Sequence, residues 1–558
     1  MNEKAGLVPA FTWLRQYPSA WLRPDLLAGL AAAAVVVPKA MAYATIAGLP
    51  VQVGLYTVIV PMVVYALLGT SRPLSVSTTT TIAILAASAL AAAAPGAAVA
   101  DLIAASATLA ILVGAILVAA RLLRLGFVAN FISEPVLTGF KSGIGLVIVV
   151  DQLPKLFGIH FDKAGFFHNV LAIVQHLPQT STATLLLSVA VLGIIAAMEH
   201  FLPRAPVPLI AVGVAIAASA FLDLHAHGVA TVGAVPGGLP SLISPRWDLV
   251  NELWPAAAGI ALMSFTESIA AARAFAEQQE PRLEANQELL AIGLANVAGG
   301  FFGAMAAGGG TTQTAVNRHA GAKSQLAELV TAAGALATLL FLAPVIALMP
   351  QAALGAVVIA YSVGLIQPKE FRAIRGVRTR EFRWAVIACA GVVLLGTLKG
   401  ILVAVIVSLL GLASQAYNPP VYAVARKRGT TVFRPVSAEN AGDEQWPGLL
   451  IVRIEGRLFF ANAQRAGELI WPLVEQAKPT VLVIDCRAVI DLEYTALKML
   501  GEAEQKLRHA GTELWLAGLN PAVFAVLQRS SLGATLGKER LLLNLEGAVE
   551  KFQQRKPS

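Results

Sequence analysis

Charge and cysteine are scarce in this chain. Of 558 residues, 41 are Lys or Arg and 33 are Asp or Glu, together 13%, where soluble chains carry about 25%. Two cysteines, Cys389 and Cys486, are too few for a disulfide framework or a cysteine-based metal centre. No glycine period suggests collagen, and a hydrophobic content of 57% excludes disorder. Gly308-Gly-Gly310 lacks the Lys-Ser/Thr of a phosphate loop and reads as a place of close backbone approach. No Ser/His/Asp or Cys/His set stands out, so no catalytic residue, cofactor or resident metal is expected. His225 and His227 read as a solvated loop. No cleavable signal segment is visible; the Trp- and Arg-rich first 24 residues read as an interfacial lead-in.

What is abundant is uncharged apolar sequence. The stretches 40–71, 73–100, 102–120, 289–317 and 329–368 carry no charged side chain, and roughly 20 apolar residues cross a bilayer as a helix. Mean hydropathy is +0.70. The chain therefore reads as an α-helical polytopic membrane protein, with spans near 26–46, 51–69, 76–93, 101–120, 134–151, 181–201, 207–222, 253–276, 286–304, 311–320, 326–348, 352–367, 383–397 and 401–417. A net charge of +8 does not indicate nucleic acid, because the basic residues flank the spans. Arg72, Arg121, Arg124, Arg204, Arg318, Lys323 and the run from Lys369 to Arg383 fall on one side. Lys155, Lys163, Arg246 and Lys399 fall on the other. By the positive-inside rule both termini are expected in the cytoplasm.

Composition changes at Asn418-Pro419-Pro420. The expected layout is a segment 1–24, a membrane domain 25–417, a linker 418–446 and a small cytoplasmic α/β domain 447–555. Within the last, 449–455, 481–485 and 513–517 read as strands and 463–476 and 495–510 as helices. An internal repeat lies in the membrane domain. Span 3 opens Ser75-Val-Ser-Thr-Thr-Thr-Thr and span 10 opens Gly309-Gly-Thr-Thr-Gln-Thr. Both are hydroxyl-rich and follow helix breakers, and seven spans separate them, so the halves are inverted. Paired interrupted segments in inverted halves point to a transporter's central site.

Three stretches carry a family resemblance. The run PKAMAYATIAGLP from Pro38 to Pro50, followed by Gly54-Leu-Tyr and LLGTSRPLSV from Leu67, resembles the SulP sulfate-permease signature. TESIAAAR from Thr266 and NQELLAIGLANVAGG from Asn286 look like that family's spans 8 and 9. The C-terminal region, with Val483-Ile-Asp-Cys and DLEYTALKML from Asp491, is similar to a STAS domain. The resemblance implies a seven-plus-seven inverted-repeat transporter of the inner (plasma) membrane, working as a homodimer. A core (spans 1–4 and 8–11) moves against a gate (spans 5–7 and 12–14), and half-helices 3 and 10 converge on the anion. Sulfate is the family default, with bicarbonate and C4-dicarboxylates as alternatives. The STAS serine that kinases modify falls here at Tyr494, beside Thr495, so the domain is expected to organise the dimer or bind a partner.

Two facing helix N-termini, each with about half a positive charge and unpaired N–H groups, make an anion site. Ser77, Thr78, Thr79, Thr311, Thr312 and Gln313 are the expected ligands. Lys39 lies inside span 1 and Glu267 inside span 8, and intramembrane charges are usually paired or functional. The family commonly has Gln at position 39 and Arg in span 10, where Gln313 stands. The site's positive charge is thus expected to have moved to Lys39, paired with Glu267 in the empty carrier. Anion binding to Lys39 would favour protonation of Glu267, giving proton symport; sodium held by Glu267 and Thr311 is the alternative, and uncoupled exchange or channel flow a third. Lys141 is expected near the cytoplasmic interface, away from the site.

Overall fold

The computed structural model describes residues 8–555 except 16, 131–132, 162–164, 203–204, 234, 236–237 and 278–279. Arg204 and Lys163 thus lie outside the described residues. Two compact units divide at Leu409 and Leu410.

A helix falls in each of the fourteen expected windows, the last running across the division into the second unit: α1 Leu22–Ile46, α2 Val51–Leu68, α3 Thr80–Ala93, α4 Val99–Leu122, α5 Glu134–Phe157, α6 Thr182–Phe201, α7 Val207–Phe221, α8 Val250–Ala274, α9 Ala285–Phe301, α10 Thr311–His319, α11 Leu326–Phe341, α12 Gln351–Val363, α13 Thr379–Leu395 and α14 Thr397–Tyr417. Among the described residues, eight helical segments are long and apolar enough to cross a bilayer. Alanine- and leucine-rich stretches supply the propensity, and the buried prolines at residues 38 and 61 are tolerated because neighbouring helices cover the backbone they free. Span 11 ends early, at Phe341, and a short helix Ala343–Ala347 follows with Pro344 in its first turn, where a proline is accepted. Amphipathic helices Phe166–His176 and Pro368–Val377, unassigned by hydropathy, lie between spans.

Helices α3 and α10 are short, about 21 and 14 Å long at 1.5 Å per residue, against a hydrocarbon core of about 30 Å. Each is preceded by a two-residue strand, β1 (Val76–Ser77) and β2 (Gly308–Gly309), and these pair antiparallel, Val76 with Gly309 and Ser77 with Gly308. This corrects the expected start of span 3 at residue 76: Ser75–Thr78 are committed to the crossing, and the helix begins at Thr80. Ser268 Oγ accepts from Gly309 N at 2.6 Å, Ser75 O accepts from Gly310 N at 3.0 Å, and Thr314 Oγ1 accepts from Ser75 N at 3.1 Å. In bilayer surroundings such irregular backbone persists only when satisfied by protein. A Cβ at Gly309 would sit 2.7 Å from Ser268 Cα, so the glycine there is required by packing.

Elsewhere in this unit α4 packs on α9, and α1 and α2 pack on α11, while α5 packs on α12 and α13. At the α5–α13 crossing a Cβ on Gly139 would lie 2.0 Å from the Ala385 carbonyl oxygen.

The second unit is an α/β domain. Its strands are β3 Val421–Arg426, β4 Phe433–Pro435, β5 Leu449–Ile454, β6 Gly456–Leu458, β7 Val481–Asp485, β8 Val489–Leu492, β9 Glu513–Ala517 and β10 Leu541–Leu542. The main sheet has the order β10-β9-β7-β5-β3-β4, parallel from β10 to β5. Residues 421–435, expected as linker, thus form its antiparallel edge. The Pro-Pro start and the charged Arg426-Lys427-Arg428 masked a strand pattern that becomes buried only on pairing with β5. Side-chain alternation divides the core: Leu482 and Ile484 face α15 (Ala463–Ala477) and α16 (Tyr494–His509), with α17 (Pro521–Gln528) and α18 (Ser531–Leu536) on the same side. Val481, Val483 and Trp515 face α19 (Leu545–Gln553).

Burial of Cys486 beside Asp485 pushes its thiol up to about 12. At pH 8 on the order of one thiol in ten thousand is then ionised. In a Cys389→Ala background, a maleimide at pH 8 is expected to leave the folded protein unlabelled and to label one site per chain after denaturation; rapid native labelling would show that the Cys486 pocket opens.

Candidate functional site

Glu267 stands on α8 with its side chain buried, and each of its oxygens is taken. Thr79 Oγ1 donates to Oε2 and Thr81 Oγ1 to Oε1, both at 3.0 Å. Thr79 is also the N-cap of α3, its hydroxyl accepting from Ile82 N at 3.3 Å. The T-T-T-T run therefore places hydroxyls on the carboxylate from the cap and the first turn together. Lys141 Nζ lies 3.6 Å from Glu267 Oε1.

Lys39, buried on α1 directly after Pro38, turns its ammonium over the Tyr361 ring of α12, 3.8 Å from the centroid. A desolvated cation–π contact of this kind contributes about 2 kcal/mol. The expected Lys39–Glu267 pair is therefore not formed. Glu267 is held by two hydroxyls and Lys141, and Lys39 reaches the aromatic face instead.

Between these groups lies a cavity of about 90 Å³, lined by Lys39, Tyr43, Thr79, Thr80, Thr81, Lys141, Glu267, Gly309, Gly310, Thr311, Thr312, Gln313 and Leu365. One water needs about 10–15 Å³ of such space, and a drug-sized ligand several hundred, so the volume suits a small polyatomic solute. Helix α10 starts here at Thr311 with Gly310 as N-cap and no side-chain cap, which leaves its first-turn N–H groups facing the cavity end of the helix. The walls come from both sets of spans: α1, α3, α8 and α10 on one side, α5 and Leu365 just after α12 on the other.

Of the expected ligands, Lys39, Thr79, Thr311, Thr312, Gln313 and Glu267 line the cavity, and Ser77 and Thr78 do not. Ser77 Oγ donates to Gln313 Oε1 at 3.1 Å and so holds that amide, while Thr78 is buried in the crossing segment. Thr80, Thr81, Tyr43 and Lys141 went unassigned. The late start of α3 shifts the hydroxyl set along the run by two residues. Lys141 is not remote from the site: α5 begins at Glu134, so Lys141 sits about 10 Å along it and lines the cavity. Its charge in a span was the available signal, discounted for its nearness to Glu134 and Pro135.

A larger cavity, about 680 Å³, lies in the second unit between α15, α16 and the sheet, with apolar residues such as Ile454, Leu458, Trp471 and Leu482 in its wall. Volume favours that cavity, but converging charges and helix ends favour the smaller one.

Residues 22–388 match the sulfate permease family and residues 442–548 the STAS domain. The chain belongs to the sulfate permease family. It is 34% identical over 558 residues to probable sulfate transporter Rv1739c of Mycobacterium tuberculosis, with 99% of each chain covered. To the chloroplastic sulfate transporter 4.1 of Arabidopsis thaliana it is 30% identical over 572 residues, covering 98% of this chain and 82% of the relative. Among solved structures, SLC26A9 superposes with a TM-score of 0.89 at 24% identity, covering 98% and 93% of the two chains. The transmembrane domain of the cyanobacterial bicarbonate transporter BicA gives 0.60 at 24% identity, covering 70% of this chain and 98% of that one. These two likenesses establish the fold of the helical membrane unit, and the match at residues 442–548 makes the second unit a STAS domain.

Because Lys141 and Glu267 act on one another, removing both should cost less than the sum of removing each. Lys141→Gln and Glu267→Gln are each expected to weaken anion uptake by about ten-fold or more, and the double variant to fall within about three-fold of the worse single. Strict multiplication of the two effects, measured by uptake, would show that the contact carries no functional energy.

Proposed function

We propose that this protein is a secondary active transporter of a small anion, with sulfate the first candidate, and that it couples the anion to a proton by moving the core (α1–α4, α8–α11) against the gate (α5–α7, α12–α14). The observation that carries the reading is the cavity itself, where two ammonium groups, one carboxylate and the start of two half-helices meet. Charge balance then separates the substrates. Two ammonium groups against one carboxylate leave a single positive charge, which a monovalent anion offsets as it stands. A dianion is offset only when Glu267 takes up a proton. Withdrawal of the anion's oxygens from water is compensated by hydroxyl and backbone donors, and the low-dielectric walls strengthen each contact.

Lys39 and the N–H groups of α10 bind the anion, Thr311, Thr312 and Gln313 orient it, and Glu267 carries the proton. Thr79 and Thr81 position Glu267. Because Lys141 and Tyr361 lie on the gate and their partners on the core, a shift of core against gate stretches both contacts, and an anion bound to the two lysines takes their place. The STAS domain lies in the cytoplasm with both termini, the protein sits in the inner (plasma) membrane, and two chains form the working unit. Alternating access by one repeat bundle against another is the physical pattern of inverted-repeat carriers.

Proteoliposomes loaded at neutral pH test this. An imposed inward proton gradient is expected to drive accumulation of labelled sulfate in preference to bicarbonate or fumarate, with no response to a sodium gradient. Lys39→Gln should reduce uptake at low sulfate by at least about ten-fold. Sodium-driven uptake would make Glu267 and Thr311 a cation site, and equilibration indifferent to both gradients would leave an exchanger or channel.

A further inference from the structure

Between α12 and α13 the chain forms the helix Pro368–Val377, which lies against α5 and α13. At about 15 Å it is too short to cross a bilayer. Its side chains sort by face. At 3.6 residues per turn, Lys369, Arg372 and Arg375 fall within one arc of about 120°, and Phe371, Ile374 and Val377 within the opposite one. Glu370 lies on the apolar side, away from the cations.

The basic row is open. Lys369, Arg372 and Arg375 are exposed, as are Arg378, Arg380 and Arg383 beyond the helix. Arg378 pairs with Glu381 at 3.3 Å, whereas Lys369, Arg372, Arg375 and Arg383 make no ion pair among the described residues. Phe371 meets Phe382 edge-on, with 6.3 Å between ring centroids, and Arg375 lies 5.8 Å from the same Phe382 ring. These contacts tie the start of α13 to the helix. The apolar row is covered only in part: Phe371 and Ile374 are half-buried, and Val377 is 81% exposed.

The positive-inside bias accounts for basic residues near span ends. It does not sort them onto one face of a helix that spans nothing, opposite an apolar row. That sorting is what a helix lying in the headgroup layer needs, because its apolar side chains reach the acyl boundary while its basic ones meet the headgroups. Guanidinium forks take phosphate oxygens in pairs, and a lysine adds a point charge. The second unit is itself net basic, so charge does not favour it as the cover. We infer that the Pro368–Val377 helix is a binding site for anionic phospholipid, with Lys369, Arg372 and Arg375 on the headgroup phosphates and Phe371, Ile374 and Val377 in the bilayer interface. The helix begins three residues after Leu365, which lines the transport cavity, so the lipid site and the cavity share one short segment.

A probe at residue 377 tests this in the full-length protein. Val377→Cys, in a Cys389→Ala background, is labelled with bimane and reconstituted in phosphatidylcholine vesicles. Quenching is followed as phosphatidylglycerol or phosphatidylcholine with a nitroxide at the top of the acyl chain is added. Both lipids are expected to quench, phosphatidylglycerol at about one third of the mole fraction or less, and about 1 M salt should shrink that preference. The triple variant Lys369→Gln, Arg372→Gln, Arg375→Gln should keep quenching by phosphatidylcholine and lose the preference. Arg372→Gln alone, which removes one exposed charge and leaves the packing intact, should lower it part-way.

Equal quenching by the two lipids in the wild type would overturn the inference. So would a preference that survives in the triple variant or is unchanged in Arg372→Gln. Absence of quenching by either lipid would put protein over this face instead. Removal of the preference by inorganic phosphate at constant ionic strength would make the row a soluble-anion site and end the lipid assignment. The readout requires no sulfate transport, so its failure is separate from that of proton symport.

Discussion

A charge inside a bilayer needs an opposite charge, a dipole or hydrogen-bond donors close by, and this constraint organises the membrane unit. Lys39, Lys141 and Glu267 lie within spans, and the backbone around them departs from helix at two points, residues 75–79 and 308–310. Both departures are needed. They turn the ends of two helices inward, where unpaired N–H groups become part of the site. The antiparallel pairing of Val76–Ser77 with Gly308–Gly309 then satisfies most of the backbone that leaves the helices. Gly309 is the packing counterpart of that arrangement, since a side chain there would run into α8 at Ser268.

The division of labour at the cavity follows from which helices supply the charges. Glu267 and Lys39 come from α8 and α1, while Lys141 and Tyr361 come from α5 and α12. In the proposed movement of core against gate, these opposite charges form a contact that is made in one arrangement and stretched in another. A carrier needs such contacts to be modest, so that a substrate can replace them. The 3.6 Å separation of Lys141 from Glu267 is longer than a tight charge-assisted hydrogen bond of about 2.7–2.9 Å, and the Lys39–Tyr361 contact involves no counter-charge at all. Both cations are held without being tightly neutralised.

Much of this was legible in the sequence. Apolar stretches with few or no charges located all fourteen helical windows, because the bilayer imposes length and apolarity on each helix independently of its neighbours. Strands 481–485 and 513–517 were read to the residue, since a buried parallel strand carries a continuous apolar run. The hydroxyl runs and the lone Lys39 and Glu267 identified the region of the cavity. Which hydroxyls face it depended on where α3 begins, and that is set by pairing with residues more than 230 positions away. The partner of Glu267 was equally hidden: Lys141 sits on a different helix, and only the packing of α5 brings it there. At 421–435 the sheet edge was obscured because its strands are only partly buried and bordered by charge.

The central claim is that anion and proton share one site. It is tested most directly by mixing purified protein in weakly buffered detergent solution with sulfate, and following a pH indicator while binding is titrated. The account predicts uptake of about one proton per sulfate bound, abolished in Glu267→Gln even where sulfate still binds. Sulfate binding without proton uptake in the wild type, or with undiminished uptake in Glu267→Gln, would contradict it.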